Sequence, residues 1–304
     1  MGESDAFWDF YWEMRLEGLQ NLGKREAVLT ASRLVRRMAQ TPGQRVRLLE
    51  LGCGEAQIIG ALVEGHAQVA GMDQSVGIDY IPRAVASCRQ HYPQMRFIEG
   101  DFTDGNLLAG LGTFELVLLV NALHEVFTAG FSAELGEIDV PAAKARAETA
   151  LAGAVGRLAP GGCLVLFDGL EMPGDPRDSL RLHFLSRQAR QHFEIFAREY
   201  HPFRIHYRDC DGPLHIELSR RDFTRYITKS IFLGKALWQT ERLESYQYFT
   251  KDEFRAVIAR QGLALRELRT LTVDEDKWSN LVEIETPGVS FPEEHILIVA
   301  EKER

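Results

Sequence analysis

The chain has 304 residues, 45% hydrophobic and 26% charged, enough for a full core in one large domain or a domain with a cap. Its formal charge of −9 disfavours nucleic acid as the main partner, because a negative surface repels phosphate backbones. No apolar run reaches the roughly 18 residues of a membrane span and no basic-then-apolar leader opens the sequence; with Cys53, Cys88, Cys163 and Cys210 scattered like reduced thiols, a cytoplasmic protein is expected.

Residues 5–40 are helical in pattern. FWDFYWEMRLEGLQ spaces aromatic residues as on a helix, and Val28, Leu29, Ser32, Val35 and Met38 carry one stripe onward. The cluster Phe7, Trp8, Phe10, Tyr11 and Trp12 reads as core packing or as a lid over a site. TPGQ at 41–44 breaks the pattern. From Arg45 strands and helices alternate: VRLLEL, then AQIIGALVEG; VGID, then a helix with Pro82 in its first turn. MRFIEGD, ELVLLVNA, the helix AKARAETALAGAVGRL, the turn APGG and CLVLFDG follow. Continuously apolar strands alternating with helices predict a parallel sheet covered on both faces.

The alternation then stops for about 80 residues. RDSLRLHFLSRQARQHFEIFAREY reads as helix and FRIHYRDCDGPLHIELS as a hairpin turning at CDG. Ser219 with Asp222, and Thr250 with Glu253, open two further helices as capping patterns. LRELRTLTV and HILIVAEK are the last strands. The expected fold is α/β, a Rossmann-like, doubly wound, mostly parallel sheet of about seven strands. It carries a helical N-terminal arm or lid (1–44), a core in two parts (45–170 and 250–304), and a large α+β cap (171–249) inserted before the last helix and strands.

The densest chemistry lies from Glu50 to Ala56, an acid-x-Gly-x-Gly-x-Ala seam between a strand and a helix. Glycine permits the sharp turn and lets main chain approach a ligand. No lysine follows as a phosphate-binding loop requires, and Gln57 stands where a dinucleotide fingerprint needs its third glycine.

This seam resembles the first motif of the class I S-adenosylmethionine-dependent methyltransferases. GIDYIPRAVASCR, FIEGDFTD, LVLLVNALHEVF and LAPGGCLVLFDG resemble the family's later motifs, in the family's order, over about 120 residues. The resemblance implies a cofactor, S-adenosylmethionine (product S-adenosylhomocysteine), that carries a sulfonium, an ammonium and a ribose diol but no phosphate. Carboxylates then replace anion-binding donors. By resemblance, Gly52, Cys53 and Gly54 lie against the amino-acid and sugar portion, with Glu50 orienting the loop or reaching the ammonium. The ribose acid is Asp79 or Asp73; Asp79 is favoured because a helix starts just behind it, with Tyr80 flanking the adenine. Asp101 and Phe102 fit the adenine contacts, and Asn121 faces the ligand crevice from the end of an apolar strand.

The cofactor carries the difficult chemistry and the protein aligns the reactants, so a base is optional. His124, three residues after Asn121, is a candidate base or a pocket wall, and Glu125 is its orienter or alternative. Residues 171–230 hold 11 Lys+Arg against 9 Asp+Glu, a basic balance that could greet an anionic acceptor. His183, His192, His201, His206 and His215 lie there too, but their spacings of 9, 9, 5 and 9 fit no compact metal pattern, and no metal is expected. The reading is a methyltransferase acting on O, N or C of a small molecule enclosed by the cap. An RNA- or protein-directed methyltransferase and a non-catalytic cofactor-binding protein are its rivals.

Overall fold

The computed structural model describes residues 22–174, 178–272 and 275–304. The aromatic cluster from Phe7 to Trp12 lies outside them. Helix α1 (Leu22–Ala39) precedes a run of β1 (Leu48–Leu51), α2 (Gln57–Gly65), β2 (Val76–Asp79), α3 (Pro82–His91), β3 (Arg96–Glu99) and α4 (Gly105–Ala109). Then come β4 (Phe114–Val120), α5 (Leu123–Thr128), the two-residue strands β5 (Phe131–Ser132) and β6 (Glu137–Ile138), α6 (Val140–Val155) and β7 (Leu158–Gly169). After an interlude, α10 (Lys251–Arg260), β11 (Leu263–Leu271) and β13 (His295–Lys302) complete one seven-stranded sheet of order β11-β13-β7-β4-β1-β2-β3. Every neighbouring pair from β7 to β3 is parallel, whereas β13 runs antiparallel to both β7 and β11.

The uninterrupted apolar strands are explained by two cores. Successive strand residues point to opposite faces, so Leu48, Leu116 and Leu118 join the core under α1, α2 and α3. Leu49, Val117 and Leu119 join the core that includes α6, α10 and the cap. Helix α1, expected as an arm, is a layer of this fold: Ala27, Val28, Ala31 and Val35 are fully buried against the sheet. The alanine face of α6 (Ala143, Ala147, Ala150, Ala154) lets that helix lie close on the other side.

The interlude holds β8 (Ser179–Phe184), α7 (Arg187–Glu199), β9 (Tyr207–Asp209), β10 (His215–Ser219), α8 (Arg220–Lys229) and the short α9 (Trp238–Glu241). Between β11 and β13 lie the short helix α11 (Glu275–Ser279) and the strand β12 (Val282–Ile284). An antiparallel sheet of order β12-β8-β10-β9 forms its frame. Two expectations change here. The segment expected as one helix begins as β8, because Leu180, Leu182 and Phe184 alternate inward with period two, and Ser186 caps the helix only at residue 187. And β12, beyond residue 250, pairs with β8 in the cap sheet instead of joining the large sheet. The Thr250–Glu253 capping box is present in both directions.

Candidate active site at the carboxyl edge of the sheet

The loop leaving β1 is shaped by three left-handed residues. Gly52 (φ +74°) has no room for a side chain, since a Cβ there would meet Ala122 Cβ at 2.7 Å. Its N–H and that of Cys53 both donate to Ile78 O at 2.9 Å, tying the loop to β2. Gly54 (φ +50°) is the opposite case: a Cβ there meets nothing within 4 Å, so its main chain borders open space. Ala56 (φ 58°) closes the loop in a conformation costly for an L-residue. The buried Glu50 carboxylate accepts from Ile59 N–H at 3.0 Å, satisfying one of the unpaired donors in the first turn of α2. Burial pushes the Glu50 pKa up to about 8, against the pull of that N–H and of Lys24.

Asp79 ends β2 and faces this loop. Gly54 N–H donates to its Oδ2 at 2.7 Å and Ile81 N–H to its Oδ1 at 2.9 Å. Asp73 lies in a 3-10 turn (Met72–Gln74) before the other end of β2, exposed and away from the cavity. Glu50, Gly52, Cys53, Gly54, Asp79 and Asn121 line a narrow cavity of about 200 Å³. Asn121 is itself left-handed (φ 51°) at the end of β4, and its buried Oδ1 has no hydrogen-bond partner among the described residues.

Beside it lies a wider cavity of about 680 Å³, walled by Asp101, Thr103, Val126, Ala145, Arg146 and Thr149. Tyr80, Phe102 and Glu125 line both spaces. Thr103 donates from its N–H (2.8 Å) and its hydroxyl (2.7 Å) to Asp101 Oδ1, which fixes the carboxylate at the rim. Burial raises the Glu125 pKa to about 7; His124 opposes this, and Glu244, Asp168 and Asp79 add to it.

His124 lines neither cavity. It is buried, its Nδ1–H donating to Asp168 Oδ1 at 2.7 Å and its main-chain N–H to Asp168 Oδ2 at 3.0 Å. Burial alone would lower the imidazole pKa, but the Asp168 charge and hydrogen bond outweigh it and hold the ring above its ordinary value. On its far side Nε2 stands 4.0 Å from Glu244, and the ring packs on Tyr246 with centroids 4.1 Å apart. Glu244 in turn meets the fully buried Lys229, which also pairs with Glu241 at 2.6 Å.

Sequence reasoning brought ten of its eleven candidates to these two cavities and missed the partners behind them. Asp168 carried a usable signal, a polar residue closing the apolar run CLVLF just as Asn121 closes β4. Lys229, Glu244 and Tyr246 carried none, because they reach the site from the cap. Part of the basic charge of the cap is paired internally: Arg190 pairs with Glu194 and Asp209, Arg208 with Glu217, and Arg225 with Asp222 and Glu171.

Residues 48–138 match a protein family described as "Methyltransferase domain". No curated protein matches the chain. Among solved structures it is similar to an O-methyltransferase family protein from Burkholderia thailandensis, at 13% identity and a TM-score of 0.43, covering 92% of this chain and 58% of that one. It is also similar to an N-methyltransferase from Bradyrhizobium japonicum WM9 (14% identity, TM-score 0.42, 94% and 99% covered). A magnesium protoporphyrin IX methyltransferase from Synechocystis PCC 6803 is similar at 10% identity and a TM-score of 0.46, with 92% and 84% covered. The chain thus spans little more than half the length of the first of these.

Proposed function

We propose that this chain, whose residues 48–138 match a methyltransferase domain, is a class I S-adenosylmethionine-dependent enzyme that methylates a small-molecule acceptor within the cleft at the carboxyl edge of its sheet. The observation that carries this reading is the narrow cavity where the open main chain of Gly54 faces the Asp79 carboxylate.

The residues present fit the cofactor. It offers hydroxyls, an amine and a sulfonium, and the cavity supplies acceptors: the acidic side chains of Glu50, Glu55, Asp79 and Glu125, bare main chain and the unpartnered Asn121 Oδ1. When bound, S-adenosylmethionine supplies an electrophilic methyl on a sulfonium leaving group. Each Asp79 oxygen already accepts one N–H, and a carboxylate has about four lone-pair positions, so about two remain for the ribose diol. With the cofactor bound, Gly54 would lie against the amino-acid portion, Tyr80 and Phe102 would flank the base, and Asp101 would accept from its exocyclic amine through the oxygen that Thr103 does not hold. Glu50 acts on the loop by holding the first turn of α2.

Of the two candidate bases, Glu125 faces the cleft and His124 does not. A base must be unprotonated to act, and the Asp168 contact favours the charged imidazolium at His124. We therefore assign proton acceptance to Glu125, with a pKa near the working range, and to the His124–Asp168 pair the positioning of the first turn of α5. The wider cavity, about 680 Å³, has the size of a small-molecule acceptor. An RNA partner would be served by an open stripe of basic residues, whereas Arg190, Arg208 and Arg225 of the cap are paired with acids.

Calorimetry with S-adenosylhomocysteine tests the reading. Asp79→Ala is expected to weaken binding by about 100-fold, a loss on the order of 2.7 kcal/mol for a charge-assisted contact, with Asp73→Ala within about twofold of the parent. Equal effects, or no binding of donor or product at millimolar concentration by the unaltered protein, would overturn it.

A further inference from the structure

We propose that the outer face of the cap sheet binds one zinc ion through His183, His215 and Glu285, with Glu283 positioned to complete the shell. Strand pairing creates the cluster. His183 on β8 stands directly opposite His215 on β10 and opposite Glu283 on β12, so one cross-strand row carries Glu283, His183 and His215 on a single face. Glu285, just past β12, reaches diagonally into that row.

The distances suit chelation. One ligand atom from each of His183, His215 and Glu285 lies within 4.8 Å of the others. Glu285 Oε1 is 3.4 Å from His215 Nε2, and Glu283 Oε2 is 3.7 Å from His183 Nδ1. Ligand atoms sharing one tetrahedral zinc at bonds of about 2.0–2.1 Å stand about 3.3 Å apart, so binding contracts the cluster by at most about 1.5 Å. The imidazole rings are stacked, 4.4 Å between centroids and 7° between planes, and must tilt out of register to share an ion. The buried His215 Nδ1 has no hydrogen-bond partner among the described residues, so no protein contact at that nitrogen holds the ring in place.

The surroundings preorganise the carboxylate. Arg181 Nε donates to Glu285 Oε2 at 3.3 Å, leaving Oε1 directed at His215, the outer-shell arrangement that orients ligating carboxylates. Asp211 also pairs with Arg181 and offsets its charge. Glu285 N–H donates to Arg181 O at 2.9 Å, and Arg181 N–H to Thr286 Oγ1 at 2.8 Å, so the segment bearing Glu285 is pinned to β8. Two imidazoles and two carboxylates favour a borderline ion such as zinc over the hard ions magnesium and calcium. The two carboxylates neutralise its charge. The role that follows is a clasp, joining β8 and β10 of the insertion to a segment that enters the cap from beyond residue 280.

The test uses tag-free, chelator-treated full chain titrated with zinc chloride by calorimetry near neutral pH. One equivalent is expected to bind with a dissociation constant below about 10 µM, and magnesium chloride to give no heat. His183→Ala and His215→Ala should each weaken zinc binding by about 100-fold and Glu285→Gln by about 10-fold or more, with His206→Ala unchanged. A second readout needs no variant: zinc should shield His183 and His215, but not His206, from acylation by diethyl pyrocarbonate, read by peptide mass spectrometry. Absence of zinc binding, unaltered affinity in the His183→Ala/His215→Ala double variant, or equal labelling of all three histidines with and without zinc overturns the proposal.

Discussion

Asp79 and Glu125, at the carboxyl edge of the large sheet, and Arg225 and Lys229, in the cap, are buried or, for Glu125, half-buried, yet their surroundings differ in kind. The first two line cavities. The second two meet carboxylates of their own chain, Arg225 with Asp222 at 2.9 Å and Lys229 with Glu241 at 2.6 Å. Backbone strain does not follow the same division: Ala56 and Asn121 hold left-handed conformations beside the cavities, and Asp211 holds one in the cap between β9 and β10. At these positions, charge in the cap is paired within the chain, whereas charge at the sheet edge borders open cavities. Composition cannot separate these uses: the local excess of lysine and arginine includes Arg190, Arg208, Arg225 and Lys229, which pair with acids of their own chain.

The comparison is tested hardest at Glu125. Glu125→Gln keeps shape and removes the proton acceptor, so turnover with an acceptor found by screening should fall by about 10²- to 10⁴-fold, with donor affinity nearly unchanged. Because the carboxyl group must be ionised to act and its pKa is raised to about 7, turnover of the unaltered protein should climb as pH rises through 7. The variant should lose that limb. Unchanged turnover, or a matching loss in donor affinity, would transfer Glu125 to a binding role.

On the cap side, Lys229→Met strands Glu241 and Glu244 without their cation. Breaking a buried pair by removing one partner costs about 3–5 kcal/mol, and the partial exposure of both carboxylates places the expected loss near the lower end, about 3 kcal/mol by urea denaturation. A loss below about 1 kcal/mol would show that the cap network is not structural, and the contrast would fail.

What the sequence made legible follows from range. The loop from Glu50 to Ala56, the acid before the α3 helix start and the polar residue closing β4 are local patterns, and each lies at the cavities. That Asp79 and not Asp73 stands at the cavity was readable because a strand-end acid has a helix beginning directly behind it. Long-range pairing was not readable. The His124–Asp168 contact joins residues 44 apart, and β12 pairs with a strand about 100 residues upstream. Leu180 and Phe184 are spaced four apart, which serves a helix as well as a strand, so β8 was hidden by an ambiguous period.

A smaller effect separates the two sides of Glu50 itself. Its folded pKa, raised to about 8, lies above the ordinary carboxyl value of 4.5. The folded state therefore binds more protons than the unfolded state between those values, and stability contributed by the protonated group is full below pH 4.5 and lost as pH climbs to 8. Glu50→Gln keeps a neutral acceptor for Ile59 N–H and should flatten that descent by about 2 kcal/mol, a discount from the full linkage value because the residue borders a cavity open to water. Parallel stability curves for the two proteins from about pH 5 to pH 8 would remove Glu50 as the titrating group.

The smallest effect, and the cleanest probe of strain at the sheet edge, is Ala56→Gly. The left-handed backbone at φ 58° and ψ 28° costs an L-residue about 1–2 kcal/mol relative to the right-handed region, and glycine removes that cost. Glycine also loses more chain entropy on folding, by roughly 0.5–1 kcal/mol, so the net gain should be at most about 1 kcal/mol. Thermal denaturation of Ala56→Gly is thus expected to show a small rise in Tm. If the left-handed alanine holds the Gly54 main chain in place for the cofactor, S-adenosylhomocysteine should bind a few-fold more weakly to the more stable variant. A fall in Tm would mean that Ala56 is not strained and that the methyl group packs favourably. A rise in Tm with unchanged affinity would separate the strain from binding, leaving Gly54 and Asp79 as the elements of the loop that a ligand reads.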